Sequence, residues 1–243
     1  MVNRLGAAFI GGGGPAPAYC AELIRDARPR ILAAADSGLI AAEKAGLRPD
    51  WIIGDMDSLP DPERRLAVYP AGRILRYPQD KDYTDTELVF SLLLEKGCDT
   101  VWLIGGGGGR TEHLFAIRSL FERENSPVRW LTAAEDIRRL RAPGEFSLSA
   151  RNIPVPASAG QGPRIESGFP QAESGLPRAE SFFVSVFPLG GGPWKAESSG
   201  LKWPLGGLRW ERGFFGISNE ATGECTITAE RGAFMVILSR REF

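Results

Sequence analysis

The chain has a single histidine, His113, in 243 residues. Histidine-rich zinc sites are therefore excluded. Its three cysteines, Cys20, Cys98 and Cys225, are odd in number, far apart and form no CxxC pair. Neither a cysteine zinc site nor a disulfide framework can be read from them, and a reduced, cytoplasmic protein is expected. Any bound metal should then have oxygen ligands, which points to magnesium, manganese or calcium. Neither sign of charge dominates, the formal net charge being -1. No basic field advertises nucleic acid and no acidic tail advertises a basic partner. No apolar run approaches the roughly 20 residues of a membrane span. The opening MVNRLGAAFIGGGG holds one arginine and a short apolar stretch that runs into glycines, a poor signal peptide and a good first strand. There is no GxxxxGKS or GxxxxGKT, so a P-loop enzyme is excluded. There is no GxSxG either, which leaves His113 without a serine partner and reads it, taken alone, as a helix-terminus residue.

What the chain does have is alternation. Apolar runs at Leu5–Ile10, Ile31–Ala35, Trp51–Ile53, Arg73–Arg76, Val101–Ile104 and Val128–Leu131 read as strands. Between most of them lie helical stretches, at Ala16–Ala27, Leu39–Ala45, Thr84–Lys96 and Glu112–Glu124. In Thr84–Lys96, Leu88, Val89, Leu92 and Leu93 recur at helical spacing and Gly97 is a stop. This predicts an α/β domain over residues 1–143, a parallel sheet with helices on both faces. After Pro143 helical periodicity vanishes. Short strand candidates at Phe146–Leu148, Phe182–Phe187, Cys225–Ala229 and Phe234–Leu238 predict a smaller all-β domain over residues 144–243. Within it lies an insert, about residues 151–181, rich in Pro, Gly and Ser. Here a seven-residue unit repeats as PRIESGF, PQAESGL and PRAES. Proline in every unit forbids the helix that such a period otherwise suggests, so a loop or extended hairpin is expected.

Ligands of open parallel sheets bind beyond the carboxyl ends of the strands. Five successive strand ends here carry glycine loops or carboxylates. They are Gly11–Gly14, Asp36 in ADSG, Asp55 and Asp57 in GDMDSL, Asp80, Asp82 and Asp85 in QDKDYTDTE, and Gly105–Gly109 followed by Arg110. The physical fit is to a magnesium polyphosphate. Glycine loops let backbone N–H groups approach phosphate oxygens, and the helix that follows adds its positive end. Aspartates repel phosphate but hold magnesium, which bridges to it. Lys81 and Arg110 can neutralise the remaining charge. Each element alone has a structural explanation. Thr84 and Glu87 form a capping-box pattern, Asp55 and Asp57 suit a turn, and Asp61-Pro62 reads as a plain helix start. Their convergence on one sheet edge favours function. Three rivals stand beside it. Gly11, Gly13 and Ala16 followed by Asp36 imitate the dinucleotide fingerprint of an NAD(P)-dependent oxidoreductase. Asp55-Met56-Asp57 imitates the DxD of nucleotide-sugar glycosyltransferases. The third is a degenerate, non-enzymatic nucleotide-binding protein.

ADSG, GDMDSL, KDYTDTE, GGRTEH, GLKWPL and GISNE stand in the order found in bacterial thiamine pyrophosphokinases, between about Ile31 and Asn219. The chain resembles that family. The resemblance implies an N-terminal domain that binds ATP, a C-terminal β-sandwich that binds thiamine, and a homodimer with active sites at the subunit interface. It also implies transfer of a diphosphate from ATP to the thiamine hydroxyl, with magnesium, releasing AMP. Carried across, Asp55, Asp57, Asp82 and Asp85 become the catalytic acids, with Asp55, Asp57 and Asp85 on the metal and Asp82 or Asp85 taking the hydroxyl proton. Gly12, Gly13, Asp36, Ser37, Lys81, Thr84, Gly108, Gly109 and Arg110 become the nucleotide-binding set, and Glu112, His113, Ser218 and Asn219 the substrate-binding set. The chain departs from the family pattern twice. Glu112 stands where the family has Asp, which lengthens the side chain by one methylene. Ile117 stands where the family has Asn, which removes a hydrogen-bonding group.

Overall fold

The computed structural model describes residues 4–149 and 181–240. The repeats of the insert up to residue 180 lie outside them.

Six strands form the parallel part. They are β1 (Leu5–Ile10), β2 (Ile31–Ala35), β3 (Trp51–Gly54), β4 (Ile74–Arg76), β5 (Thr100–Gly105) and β6 (Arg129–Leu131). Every residue of β1 and β2 is buried, as befits strands covered on both faces. The order is β6-β5-β1-β2-β3-β4, all parallel. The chain builds outward from β1 to β4, then returns to place β5 on the other side of β1. The five helices are α1 (Cys20–Ala27), α2 (Gly38–Lys44), α3 (Pro62–Leu66), α4 (Asp85–Glu95) and α5 (Thr111–Phe121). Val89, Phe90 and Leu93 of α4 share a core with Ile117, Leu120 and Phe121 of α5 on one face. Ile24 of α1, Leu39 and Ala42 of α2 and Leu66 of α3 fill the core on the other. The helix expected from Ala16 begins instead at Cys20, because Pro15 and Pro17 lack backbone donors and interrupt the preceding turn.

The remaining strands are antiparallel: β7 (Glu135–Arg141), β8 (Gly144–Ser149), β9 (Phe182–Leu189), β10 (Lys195–Leu201), β11 (Gly216–Arg231) and β12 (Ala233–Arg240). They extend the same sheet in the order β10-β11-β9-β12-β7, with β7 paired to β6. The long β11 gives its first part to β9 and its last part to β8, and β10 follows it along its other edge. Register shifts between Gly216 and Asn219 and between Ser199 and Leu201 bend the pair. The sheet thereby folds over a core of Leu148, Phe182, Val184, Ile227, Phe234 and Val236. Two of these strands were hidden in the sequence. In β10 only Ala196 and Leu201 are buried, too few for an alternating signal. In β7 an aspartate occupies a buried position.

That residue is Asp136, on the strand that joins the parallel and antiparallel parts. Its side chain is 3% exposed. It accepts from Arg129 Nε at 2.8 Å and Nη2 at 2.7 Å, a two-pronged pair across the β6–β7 ladder, and from Arg138 Nη2 at 2.8 Å. Burial pushes the carboxyl up. The two guanidiniums more than offset this and hold it below its usual 3.8. No helix among the described residues is long and apolar enough to cross a membrane.

Asp136→Asn should destabilise the protein by about 3 kcal/mol near neutral pH, because Arg129 is left buried without its counter-ion. The sign of the pH dependence follows from the lowered carboxyl: its contribution is complete above the unfolded value of 3.8 and is lost as pH falls below it. Urea denaturation of wild type and variant at pH 7 and pH 3 should therefore show the gap narrowing in acid.

Candidate active site

The reversal of strand order falls between β1 and β5, and the two glycine loops leave the carboxyl ends of these two neighbours. They touch. The Gly14 N–H donates to the Gly107 carbonyl. A Cβ on Gly13 would stand 2.5 Å from Gly106 O, and one on Gly109 would collide with Gly12 O. These glycines are therefore required by the approach of one backbone to another. Gly12, Gly13, Gly108 and Gly109 remain exposed, while Gly105–Gly107 are buried. Gly12 has φ +79°, and the His113 imidazole occupies the place of its missing side chain. Trp130 Nε1 donates 2.7 Å to Gly105 O from the buried side, which fixes the second loop to β6.

The acids lie at the adjoining strand ends. Met56 has φ +67° and is 2% exposed, with its side chain in the core beneath α2 and α3. Anchoring the middle residue of Asp-Met-Asp in the core turns both flanking aspartates to the cleft. Carboxylate oxygens of Asp36, Asp55 and Asp57 lie within 4.8 Å of one another. Asp36 Oδ2 accepts from Ser58 Oγ, and its Oδ1 is buried with no hydrogen-bond partner among the described residues. Asp55 Oδ1 accepts from the Asp57 N–H at 3.2 Å, and Asp57 Oδ2 from Gln79 Nε2 at 2.7 Å. Lys81 Nζ lies 3.2 Å from Asp55 Oδ2 and 3.2 Å from Asp85 Oδ1. Gly54 makes this crowding possible: a Cβ there would stand 3.1 Å from Asp36 Cβ and 3.2 Å from Asp85 Oδ1.

The electrostatics follow the contacts. Burial raises the Asp55 carboxyl, but the Asp57 N–H and Lys81 prevail and hold it below the usual range. The Asp57 carboxyl is raised, first by its hydrogen bond with the Asp55 carboxylate and then by that neighbour's charge. Asp85 is raised by burial, which outweighs Lys81. Lys81 itself is held above its ordinary value, the two carboxylates overcoming the cost of burial.

The structure brings together most, not all, of the expected residues. Asp36, Asp55, Asp57, Lys81 and Asp85 form one group. Asp82 is exposed and enters no side-chain hydrogen bond or ion pair among the described residues. Thr84 caps α4 in a complete capping box with Glu87. Ser37 packs against Gly11. Arg110 and Glu112 are ion-paired to each other at 2.5 Å on the exposed start of α5. Ile117, at the second departure, is 3% exposed in the core. Ser218 and Asn219 lie apart, on β11. Asn219 is buried and spends its amide on the GLKWPL segment, accepting from Trp203 N–H at 3.0 Å and donating to Trp203 O at 2.6 Å. Ser218 has φ +53°, and its N–H donates to Ser185 Oγ at 3.0 Å. Sequence reasoning missed Gly54, Ser58 and Gln79, although all three lie within or beside the two acidic motifs.

Clustered carboxylates and two interlocked glycine loops at the carboxyl edge of a parallel sheet, continued into an antiparallel part, define a two-part α/β and β protein. Comparison with known proteins narrows the class. Residues 22–129 match the model of the thiamin pyrophosphokinase catalytic domain. Residues 175–234 match the model of the thiamin pyrophosphokinase vitamin B1 binding domain. The chain belongs to the thiamin pyrophosphokinase family. It is 31% identical to the thiamine pyrophosphokinase of Bacillus subtilis (strain 168) over 116 residues, 46% of this chain and 54% of that protein, so the match spans about half of the relative. The crystal structure of thiamine pyrophosphokinase from Bacillus subtilis shares the fold with a TM-score of 0.69 at 21% identity, over 98% of this chain and 99% of that one. The thiamin pyrophosphokinase of Geobacillus thermodenitrificans gives 0.66 at 22%, over 98% of each. That of Candida albicans gives 0.65 at 16%, over 98% of this chain and 90% of that one.

Two glycine substitutions test the interlocked loops, and a third substitution tests Asn219. Gly109→Ala should cost about 1–3 kcal/mol, because backbone must move to admit the methyl. Gly72→Ala, with open space around it, should stay within about 0.5 kcal/mol. Equal denaturation midpoints for the two would contradict the interlocked loops. Asn219→Ala should cost about 1–3 kcal/mol by leaving both Trp203 backbone groups without their partners, and Trp203 fluorescence should report a loosened segment.

Proposed function

We propose that this chain transfers a diphosphate from ATP to the hydroxyl of thiamine, giving thiamine diphosphate and AMP. The carrying observation is the clustering of Asp36, Asp55 and Asp57 at strand ends that neighbour two interlocked glycine loops. The residues fit magnesium. Three clustered carboxylates supply hard oxygen ligands, and the buried, unpartnered Asp36 Oδ1 is a group that calls for a cation. We assign the metal to Asp55 and Asp57, with Asp36. Magnesium, when bound, neutralises phosphate charge and polarises the phosphorus that is attacked.

The rest is done by side chains and backbone. Exposed N–H groups of the glycine loops hold phosphate oxygens. Asp85, which was expected as a ligand, faces Lys81, and we give it the hydroxyl proton. Its carboxyl is raised by burial, which suits a base better than the exposed Asp82. In-line attack on the β-phosphorus then needs mainly positioning and charge neutralisation. Thiamine is assigned to the antiparallel part, at Ser218 and Trp203, with Asn219 positioning the Trp203 backbone. Trp203, Phe214, Phe215 and Ile217 are 48–57% exposed. Such an apolar strip beside the thiamine segment supports a homodimer in which the partner completes the site. Three buried free cysteines support a reducing, cytoplasmic setting.

The dinucleotide alternative gives no account of why Asp36 is grouped with Asp55 and Asp57 and accepts from Ser58 Oγ. The glycosyltransferase alternative accounts for Asp55 and Asp57 but not for Asp36 grouped with them.

Incubation with ATP, magnesium and thiamine should release AMP and thiamine diphosphate in equal amounts. ADP as the product would indicate a simple kinase, and nucleotide binding without turnover would indicate a degenerate member. Asp55→Asn should lower kcat roughly a hundredfold or more while the thermal melt retains a single cooperative transition. Full activity in that variant would overturn the assignment.

A further inference from the structure

We propose that Lys81 makes cation and polyphosphate bind as one unit, by disfavouring a bare divalent cation and favouring one that arrives with phosphate. The inference rests on the reading of the acidic cleft as a magnesium–polyphosphate site and goes on to how that site selects its occupant.

The observation is the position of one ammonium. A lysine side chain has four methylenes and a strongly hydrated head, and it normally reaches for water. Lys81 does the reverse. Its side chain is 12% exposed, and its Nζ sits between Asp55 and Asp85, 3.2 Å from an oxygen of each. Asp55 at 13% exposure is equally enclosed. Asp55 also belongs to the triad of carboxylates that can share a cation. One residue is thus common to the cation site and to the lysine.

A carboxylate has lone pairs enough for both partners, so Lys81 does not block coordination. It does place a positive charge a few ångström from any cation on Asp55. The two repel. A polyphosphate reverses the sign of this interaction. Its oxygens bridge to the cation and accept from the ammonium, which acts as a point-charge donor. The same side chain therefore weakens the cation alone and strengthens the cation with its anion. That is a coupling free energy between two ligands, and it is reciprocal: phosphate tightens the cation as much as the cation tightens phosphate. The consequence for the protein is that free divalent cation does not load the cleft ahead of substrate.

The test uses the full chain, Mn2+ and inorganic pyrophosphate, with free Mn2+ measured by electron paramagnetic resonance and the binding of Mn2+ to pyrophosphate itself determined separately. Wild type should bind the Mn–pyrophosphate complex much more tightly than bare Mn2+. Lys81→Gln keeps a hydrogen-bonding group without the charge. It should bind bare Mn2+ about tenfold more tightly and the complex about tenfold more weakly, each about 1.4 kcal/mol. Lys81→Arg, which keeps the charge, should behave as wild type and controls for folding. Unchanged or weaker binding of bare Mn2+ by Lys81→Gln would overturn the role of the lysine while leaving the metal–phosphate reading intact. Failure of wild type to bind either form would remove both.

Discussion

Asp136 is a buried charge at the strand where a parallel sheet becomes an antiparallel one. Its two arginines come from both sides of this change, Arg129 on β6 and Arg138 on β7 itself. The geometry of the whole molecule passes through this joint. On one side β6 anchors the second glycine loop through Trp130. On the other, β7 pairs with β12 and so carries the sandwich. An apolar residue could fill the space at position 136. A carboxylate with a two-pronged guanidinium adds a fixed direction, so that the β6–β7 ladder accepts one register and resists a slip that would turn every side chain to the wrong face.

The parallel half was legible in the sequence because its strands are short, apolar and separated by helical periods. Strand limits at Leu5–Ile10 and Ile31–Ala35 agree with the structure to the residue. The antiparallel half was harder. Lys195–Leu201 is an edge strand that buries two side chains, and Glu135–Arg141 hides its alternation behind the inward Asp136. β11 is a single 16-residue strand, but only Cys225–Ala229 within it shows an apolar pattern, since its bulged first part faces water and its partner strands in turn.

The candidate site shows a similar division. The acids and glycines announced themselves through motif and strand-end position. Their partners did not. Ser58 and Gln79 are ordinary polar residues until the fold places them on Asp36 and Asp57. Gly54 has no side chain to signal its task, which is to leave room between Asp36 and Asp85. Thr84 could be read as cap or ligand contact from sequence alone, and the capping box gives it a complete structural duty. Asn219 likewise serves the backbone of Trp203, a contact between segments 16 residues apart that no local pattern encodes.

Met56 links the two kinds of information. Its side chain is packed among the apolar residues beneath α2 and α3, while its backbone separates Asp55 from Asp57. The gap between these carboxylates is therefore set from two sides, by hydrocarbon packing behind and by the Asp57 N–H, Gln79 and Lys81 in front. Ions of different radius ask for different spans between their oxygens. On the proposed reading of the cluster as a cation site, the choice between a small and a large divalent cation would be made partly by the core behind it.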